Sequence, residues 1–168
     1  HWGATTQDIT DTGSMLQIRD AEAVITLRLE ALSDALLDHV VTHAATAMPG
    51  RTHGQHAQPV TFGYKAAIWL DEVRRHQTRM DEMRPRLLVG QFGGAVGTLA
   101  ALGDQGLAVR ERLMEKLELG EPLITWHTAR DRLTELISNL AMIAGTCGKI
   151  AHEIYVLQKT EVQEVEEP

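Results

Sequence analysis

Apolar residues recur every three or four positions along most of the chain, a spacing that predicts an all-α fold. Long helices are predicted from about Asp8 to His43 and from about Val60 to Leu88, and a shorter one from about Gln105 to Leu117. A last long helix begins within residues 124–132 and keeps an apolar period to Leu157, as in bundle seams. No stretch shows convincing strand alternation. At about 1.5 Å per residue the first helix spans roughly 50 Å, which predicts an elongated, oligomeric bundle of long helices.

Between the first two helices, residues 48–63 combine helix-breaking residues with residues that carry chemistry. The breakers are Pro49, Gly50, Gly54 and Pro59, and the polar residues among them are Arg51, Thr52, His53, Gln55 and His56. An arginine can hold a carboxylate with two parallel hydrogen bonds, and a histidine can exchange a proton near neutral pH. The stretch is therefore either a polar helix connection or part of a functional site.

Two further segments suggest ligand contacts without a cofactor motif. Thr5 and Thr6, followed by acidic residues, indicate a helix N-terminus, where Thr5, Thr6 and Gln7 could donate to a carboxylate or phosphate. A well-capped helix without a ligand is the alternative interpretation. Residues 90–98 are rich in glycine but lack the dinucleotide and Walker patterns, so that we expect a close-packed or ligand-adjacent turn and no cofactor.

Composition narrows the class of protein. The chain has 168 residues and a net charge of −7, which fits one globular domain and argues against a nucleic-acid surface. No apolar run reaches the roughly 18 residues of a membrane helix. The lone Cys147 lies in an apolar helical pattern, predicts a small core residue rather than a nucleophile, and fits a reducing cytoplasm. Because the chain starts at His1 and stops inside a continuing pattern, we interpret it as an excerpt of a longer protein.

Histidine pairs provide a weak signal for metal. His39 and His43 lie one helical turn apart, and His53 and His56 also have a plausible spacing. No His-Glu-x-x-His pattern or cysteine ligand accompanies either pair. We therefore expect no metal site.

Three stretches share one family resemblance. Residues 1–8, His-Trp-Gly-Ala-Thr-Thr-Gln-Asp, resemble the first signature region of the fumarase/aspartase superfamily, and residues 51–63 resemble the second, especially in adenylosuccinate lyases. Residues 153–167 resemble the segment before the third region. The resemblance implies that residues 1–168 are the central helical domain of a homotetrameric lyase. The N-terminal part, a mobile serine-containing loop and the C-terminal domain would lie outside them.

The resemblance also implies roles for individual residues. His53 would be the general acid that protonates the leaving group, and the general base would be a serine on the loop outside this chain. A small-molecule carboxylate substrate would contact His1, Thr5, Thr6, Gln7, Arg51, Thr52 and Gln55, with Arg51 and Thr52 also positioning their loop. Each active site would draw residues from three subunits, so that the excerpt alone is expected to be inactive.

The branch of the superfamily stays open at this point. The first hypothesis is a lyase of purine biosynthesis, adenylosuccinate-lyase-like, that removes fumarate from a succinyl-substituted substrate by β-elimination. Trp126-His127-Thr128 and residues 91–94 instead resemble 3-carboxy-cis,cis-muconate cycloisomerases, and Ala129 replaces a glutamine that many adenylosuccinate lyases carry. His53 favours the lyase, because several cycloisomerases lack it. A non-catalytic helical scaffold is a third hypothesis.

Overall fold

The computed structural model describes residues 2–166 and confirms the all-α class, with one β-hairpin added. In chain order the elements are α1 (Thr6–Thr42), β1 (Ala47–Thr52), β2 (Gln55–Thr61), α2 (Phe62–Leu87), a 3-10 helix (Ala100–Gln105), α3 (Gly106–Leu117) and α4 (Asp131–Leu157). The predicted bounds of the first three helices lie within two residues of these. Apolar periodicity was therefore a sufficient signal for them.

The prediction that the chain has no strands is wrong for residues 47–61. β1 and β2 pair antiparallel, from Ala47 opposite Thr61 to Thr52 opposite Gln55. Pro49 lies opposite Pro59, and two-stranded hairpins tolerate proline because both strands are edges. Most of this hairpin is exposed, so that it lacks the apolar alternation of a half-buried strand.

A register irregularity between Pro49 and Arg51 bends the hairpin, and glycine is required there. A Cβ added at Gly50 would lie 2.6 Å from the carbonyl oxygen of Gln58 on the opposite strand. No side chain fits at that distance. The glycine therefore permits the close approach of the two strands.

The last long helix starts at Asp131, later than predicted. Residues 124–130 form a connection in which the apolar Trp126 is buried without being helical. The indole N–H of Trp126 donates to the Gly90 carbonyl at 2.9 Å, and its backbone N–H donates to Gln91 Oε1 at 2.7 Å. These tertiary hydrogen bonds explain why Trp126 is buried outside a helix, although the sequence pattern placed it at the start of one.

The chain forms two compact units, and the first comprises the described residues up to Thr26 together with Met80–Ser138. Its fully buried apolar side chains include Met15, Met83, Leu87 and Met114. Helices α1 and α2 are also joined by charge, because Arg84 donates to the buried Glu22 through Nη2 at 2.6 Å and Nε at 3.2 Å. These hydrogen bonds raise the pKa of Arg84 above its ordinary value, although burial opposes the shift.

The second unit comprises Leu27–Arg79 and the described residues from Asn139 onward. Its buried apolar side chains include Leu36, Trp69, Val73, Ile150 and Leu157. A polar chain crosses from α2 to α4, in which His76 Nε2 lies 2.8 Å from Thr146 Oγ1 and Thr146 donates to Glu72 at 2.7 Å. Burial, followed by the nearby Arg79 charge, lowers the pKa of His76.

Several apolar side chains lie on outward faces of the helices. Val24 and Leu27 of α1 are 57% and 62% exposed, and Ile137 and Tyr155 of α4 are 65% and 55% exposed. Cys147 is also exposed, so the prediction of a core cysteine is wrong, because only one face of α4 packs within this chain. By length and mean hydropathy α4 could cross a membrane, but the core helix of a soluble protein meets the same criteria.

Candidate active site

The predicted general acid His53 lies at the tip of the hairpin. Because Thr52 pairs with Gln55, the loop consists only of His53 and Gly54, whose φ angles are +53° and +73°. Two successive positive φ values are typical of the type I′ turn that connects tight hairpins. The four residues from Thr52 to Gln55 are exposed, and no hydrogen bond joins the His53 ring to another residue within the described chain. The imidazole is therefore free to meet a ligand.

Arg51 anchors the base of the turn to the C-terminal segment. Its Nη1 donates to Glu164 Oε2 at 2.8 Å, and its Nη2 donates to the other oxygen of the same carboxylate. The hydrogen bonds raise the pKa of Arg51 and lower that of Glu164, while burial opposes both shifts. Two parallel bonds fix the guanidinium plane, so that Arg51 holds a carboxylate of its own chain.

The candidate carboxylate-binding residues Thr5, Thr6 and Gln7 lie together where α1 begins at Thr6. No acceptor for the backbone N–H groups of Thr6 and Gln7 is found among residues 2–166, as expected in the first turn of a helix. The side chain of Gln7 is held, since its Nε2 donates to the His127 carbonyl at 2.7 Å. The helix end therefore presents free backbone donors beside an oriented carboxamide.

His1 lies outside the described residues, and the other predicted residues separate into two groups. Thr5, Thr6 and Gln7 belong to the first compact unit, whereas the hairpin with His53 belongs to the second. The structure thus brings residues together within each group. It does not bring the two groups together in one unit.

Near the helix end lies the buried carboxylate of Asp8, which the sequence pattern indicates only as an acid in the first turn. Asp8 is 1% exposed, and its Oδ2 accepts from the N–H groups of Thr5 at 2.9 Å and Gly94 at 2.8 Å. Its Oδ1 accepts from the N–H of Gly93 at 3.0 Å. Burial by itself raises the pKa of Asp8, but hydrogen bonds, first that of Thr5, lower it below its ordinary 3.8. The carboxylate joins α1 to the glycine-rich turn.

Gln91 and His127 complete this buried network, and neither was predicted as a functional residue. Gln91 Nε2 donates to Thr125 Oγ1 at 2.7 Å and to Asp8 Oδ1 at 3.3 Å. His127 Nε2 lies 2.7 Å from Asp8 Oδ1, and its Nδ1 lies 3.1 Å from Thr125 Oγ1. For Asp8 the available signal was a threonine three residues earlier, a spacing that resembles a capping box. For Gln91 and His127 the only signal was the resemblance of their two segments to cycloisomerases.

The connection that carries His127 is fixed at its far end by Arg130. Arg130 donates to both oxygens of Asp11 at 2.9 and 3.1 Å and also to the His127 carbonyl. Its guanidinium lies 5.6 Å from the centre of the Trp126 ring, within cation–π range. The hydrogen bonds with Asp11 raise the pKa of Arg130, with burial opposing them. The loop is thereby fastened to α1 one turn beyond Asp8.

A separate cavity of about 750 Å³ lies beside the base of the hairpin. It is lined by His39, His43, Thr46, Ala47, Met48, Pro49, Phe62, Ile154, Glu164, Val165 and Glu166. His53 is not part of its lining. Within residues 2–166, no group of three or more His, Cys, Asp or Glu side chains is arranged to hold a metal ion.

Comparison with known proteins defines the class. A protein-family model described as Lyase matches residues 1–168, so the chain belongs to this lyase family. More particularly, it is a member of the fumarase/aspartase superfamily, as the resemblance of residues 1–8, 51–63 and 153–167 predicted.

Relatives that are named for different activities share this region. The chain is 44% identical to the N-acetyl-S-(2-succino)cysteine lyase of Dickeya dadantii and 50% identical to the 3-carboxy-cis,cis-muconate cycloisomerase of Pseudomonas aeruginosa. Both matches cover 100% of this chain and 37% of the relative. The chain therefore spans little more than a third of these relatives.

Solved structures have the same fold over the whole chain. A fumarate lyase from Mesorhizobium sp. BNC1 is 53% identical with a TM-score of 0.97, covering 100% of this chain and 40% of its own. The 3-carboxy-cis,cis-muconate lactonizing enzyme from Pseudomonas putida is 50% identical with a TM-score of 0.98, covering 100% and 38%. Similarity of this degree supports the fold and the family. It does not distinguish between the two activities, because both structures are similar to the chain to nearly the same degree.

Proposed function

We propose that the full-length protein is a lyase that removes fumarate from a succinyl-substituted substrate by β-elimination. The observation that carries this proposal is the exposed imidazole of His53, which has no hydrogen-bond partner among the described residues and lies in a two-residue turn. Departure of a leaving group requires a positioned acid, and histidine is suited to that role near neutral pH. An acid at an exposed tip could also reach a site that is formed partly by residues of other subunits.

In the proposed reaction the first turn of α1 binds a substrate carboxylate. The N–H groups of Thr6 and Gln7 and the partial positive charge of the helix end would stabilise the charge that develops when the adjacent carbon loses its proton. The serine base that the resemblance implies lies outside this chain. His53 then protonates the departing atom, and fumarate remains.

Arg51 has a positioning role in this proposal. Its two hydrogen bonds to Glu164 occupy the guanidinium edge that would otherwise be available to a substrate carboxylate. The bidentate pair restrains the strand that leads into the turn, whereas Thr52 and Gln55 remain exposed on either side of His53. Of these residues, Gln55 is better placed than Arg51 to contact substrate directly.

We also propose that the functional form is a homotetramer with shared active sites in the cytoplasm. The exposed apolar faces of α1 and α4 support association, because contiguous exposed apolar surface commonly marks an interface. A Cβ added at Gly145 or Gly148 would contact no atom of the described residues, which leaves room for a close helix neighbour. Assembly would bring the hairpin of one subunit to the helix end of another.

A second candidate activity is that of a 3-carboxy-cis,cis-muconate cycloisomerase. The specific observation in its favour is the 50% identity to the enzyme named for this activity in Pseudomonas aeruginosa. A cycloisomerase also needs an enolate stabilised beside a carboxylate, so that the helix end of α1 suits either reaction. The two candidates differ in whether fumarate leaves.

The test is an assay of the full-length protein against three compounds in parallel: N-acetyl-S-(2-succino)cysteine, adenylosuccinate and 3-carboxy-cis,cis-muconate. Release of fumarate from either succinyl compound supports the lyase and identifies the leaving group. Consumption of the muconate without fumarate would assign the protein to the cycloisomerases. If none of them reacts, a full-length protein that carries the serine loop would act on another succinyl or carboxylate compound, whereas one that lacks the loop would be the non-catalytic scaffold.

A further inference from the structure

We propose that His127 is a positioning residue that orders the carboxylate-binding end of α1. This inference rests on the proposed function, because it concerns how the same helix end binds its ligand. His127 contacts that end twice. Its ring reaches the Asp8 carboxylate at 2.7 Å, and its carbonyl oxygen accepts from Gln7 Nε2 at 2.7 Å.

The surrounding hydrogen bonds determine which ring nitrogen carries the hydrogen in the neutral imidazole. Gln91 Oε1 accepts from the backbone N–H of Trp126 at 2.7 Å, which fixes the orientation of the carboxamide. The Gln91 Nε2 group must therefore donate to Thr125 Oγ1, at 2.7 Å. The hydroxyl hydrogen of Thr125 is then available to His127 Nδ1, at 3.1 Å.

Since Nδ1 accepts a hydrogen bond, the hydrogen of the neutral ring is on Nε2, directed at Asp8 Oδ1. Gln91 Nε2 and His127 Nε2 lie 3.0 Å apart, yet both are donors that converge on the same carboxylate oxygen. The chain of donors thus ends on Asp8. A fixed tautomer of this kind is typical of histidines that orient a neighbouring group.

Asp8 transmits this order to the ligand-binding residues. Its Oδ2 holds the Thr5 N–H at 2.9 Å and the Gly94 N–H at 2.8 Å, which aligns the start of α1 with the glycine-rich turn. The His127 ring supports Asp8 from the opposite side, while the His127 carbonyl sets the direction of the Gln7 carboxamide. The helix end holds the carboxylate both in the bound substrate and in the transition state. Loss of the ring should therefore weaken both to a similar degree, which raises KM and leaves kcat nearly unchanged.

The test compares His127→Leu with His127→Gln in the full-length protein. Leucine removes both nitrogens, whereas the Nε2 of glutamine can replace the donor to Asp8. Because a hydrogen bond to a buried charge is lost, we expect His127→Leu to raise KM by roughly 10- to 100-fold. We expect kcat to stay within about threefold, and His127→Gln to recover most of the loss in KM. An equal loss in both variants, unchanged constants, or a fall in kcat at constant KM would overturn the proposal.

Two measurements separate this inference from the proposed function. If no substrate turns over, calorimetry measures the affinity of both variants for fumarate in place of KM. We then expect His127→Leu to bind fumarate more weakly than His127→Gln does. Neutron diffraction from crystals of the unmodified full-length protein locates the ring hydrogen, even if His127→Leu does not fold. A hydrogen on Nε2 of a neutral ring supports the inference. A neutral ring with its hydrogen on Nδ1 would overturn it whatever reaction the enzyme catalyses.

Discussion

Replacing Asp8 by asparagine should destabilise the protein strongly, because no orientation of the new amide satisfies its neighbours. Oδ2 accepts from two backbone N–H groups at 2.9 and 2.8 Å, and Oδ1 accepts from Gly93 at 3.0 Å and faces His127 at 2.7 Å. An asparagine keeps one oxygen and turns an NH₂ group towards the donors on the other side. One orientation leaves the two donors to Oδ2 without an acceptor, and the other leaves the three donors to Oδ1, from Gly93, Gln91 and His127, without one.

The magnitude follows from that geometry. Asp8 is 1% exposed, so water can neither replace the lost acceptor nor screen the interaction. A hydrogen bond to a buried charge contributes about 1.5–3 kcal/mol, and neighbouring losses are not fully additive. We expect Asp8→Asn to lower the free energy of unfolding by about 3–5 kcal/mol. That is a large share of the roughly 5–15 kcal/mol of an ordinary domain.

The assay is urea-induced unfolding of the full-length protein at fixed concentration, followed by far-UV circular dichroism and by tryptophan fluorescence. Trp126 contributes to the fluorescence together with Trp2 and Trp69, and its buried indole donates to Gly90 beside the glycine-rich turn. The matched control is Asp20→Asn on the same helix. The Asp20 side chain is 76% exposed and pairs with Arg19 at 3.4 Å, so that a change below about 0.5 kcal/mol is expected.

The pH dependence provides an independent check. Burial tends to raise the pKa of Asp8, but its hydrogen bonds lower the folded-state value below the 3.8 of the unfolded chain. The stabilisation is therefore complete above about pH 3.8 and is lost as the pH falls through the folded value. The difference in the free energy of unfolding between the wild type and Asp8→Asn should become smaller in that range. A loss below about 1 kcal/mol at pH 7, or a difference that is constant down to pH 2, would refute the reasoning.

Three further predictions concern the hairpin and the second unit. His53→Gln should lower kcat of the full-length protein by about 10²- to 10⁴-fold, whereas the control His56→Gln should lower it less than tenfold. Unchanged turnover in His53→Gln would exclude His53 as the acid. Gly54→Ala should cost roughly 1 kcal/mol in urea unfolding, because its φ of +73° strains any residue with a Cβ even though nothing lies within 4 Å. Burial lowers the pKa of His76 below its ordinary 6.5, so that the free energy of unfolding should fall as the pH is lowered below about 6.5. If His76→Gln shows the same fall, His76 is not its cause.

Local sequence patterns were enough to predict the long helices and the residue types of the candidate site. Apolar spacing located α1, α2 and α3 within two residues, because the buried face of a helix imposes its period on the chain whatever it packs against. The breaks at Pro49, Gly50 and Gly54 located the polar stretch around His53. These features depend on local backbone preferences, which a sequence expresses directly.

The contacts that hold those residues in place join segments that are far apart in the sequence. The partner of Arg51 is Glu164, 113 residues further along the chain, and the contacts of Asp8 with His127 span 119 residues. The strand pairing of the hairpin was hidden because its prolines and exposed positions carry no alternation. Trp126 was assigned to a helix because its burial depends on hydrogen bonds to residues 90 and 91. Such contacts form when distant segments meet in the folded chain, and neither period nor composition records which segments will meet.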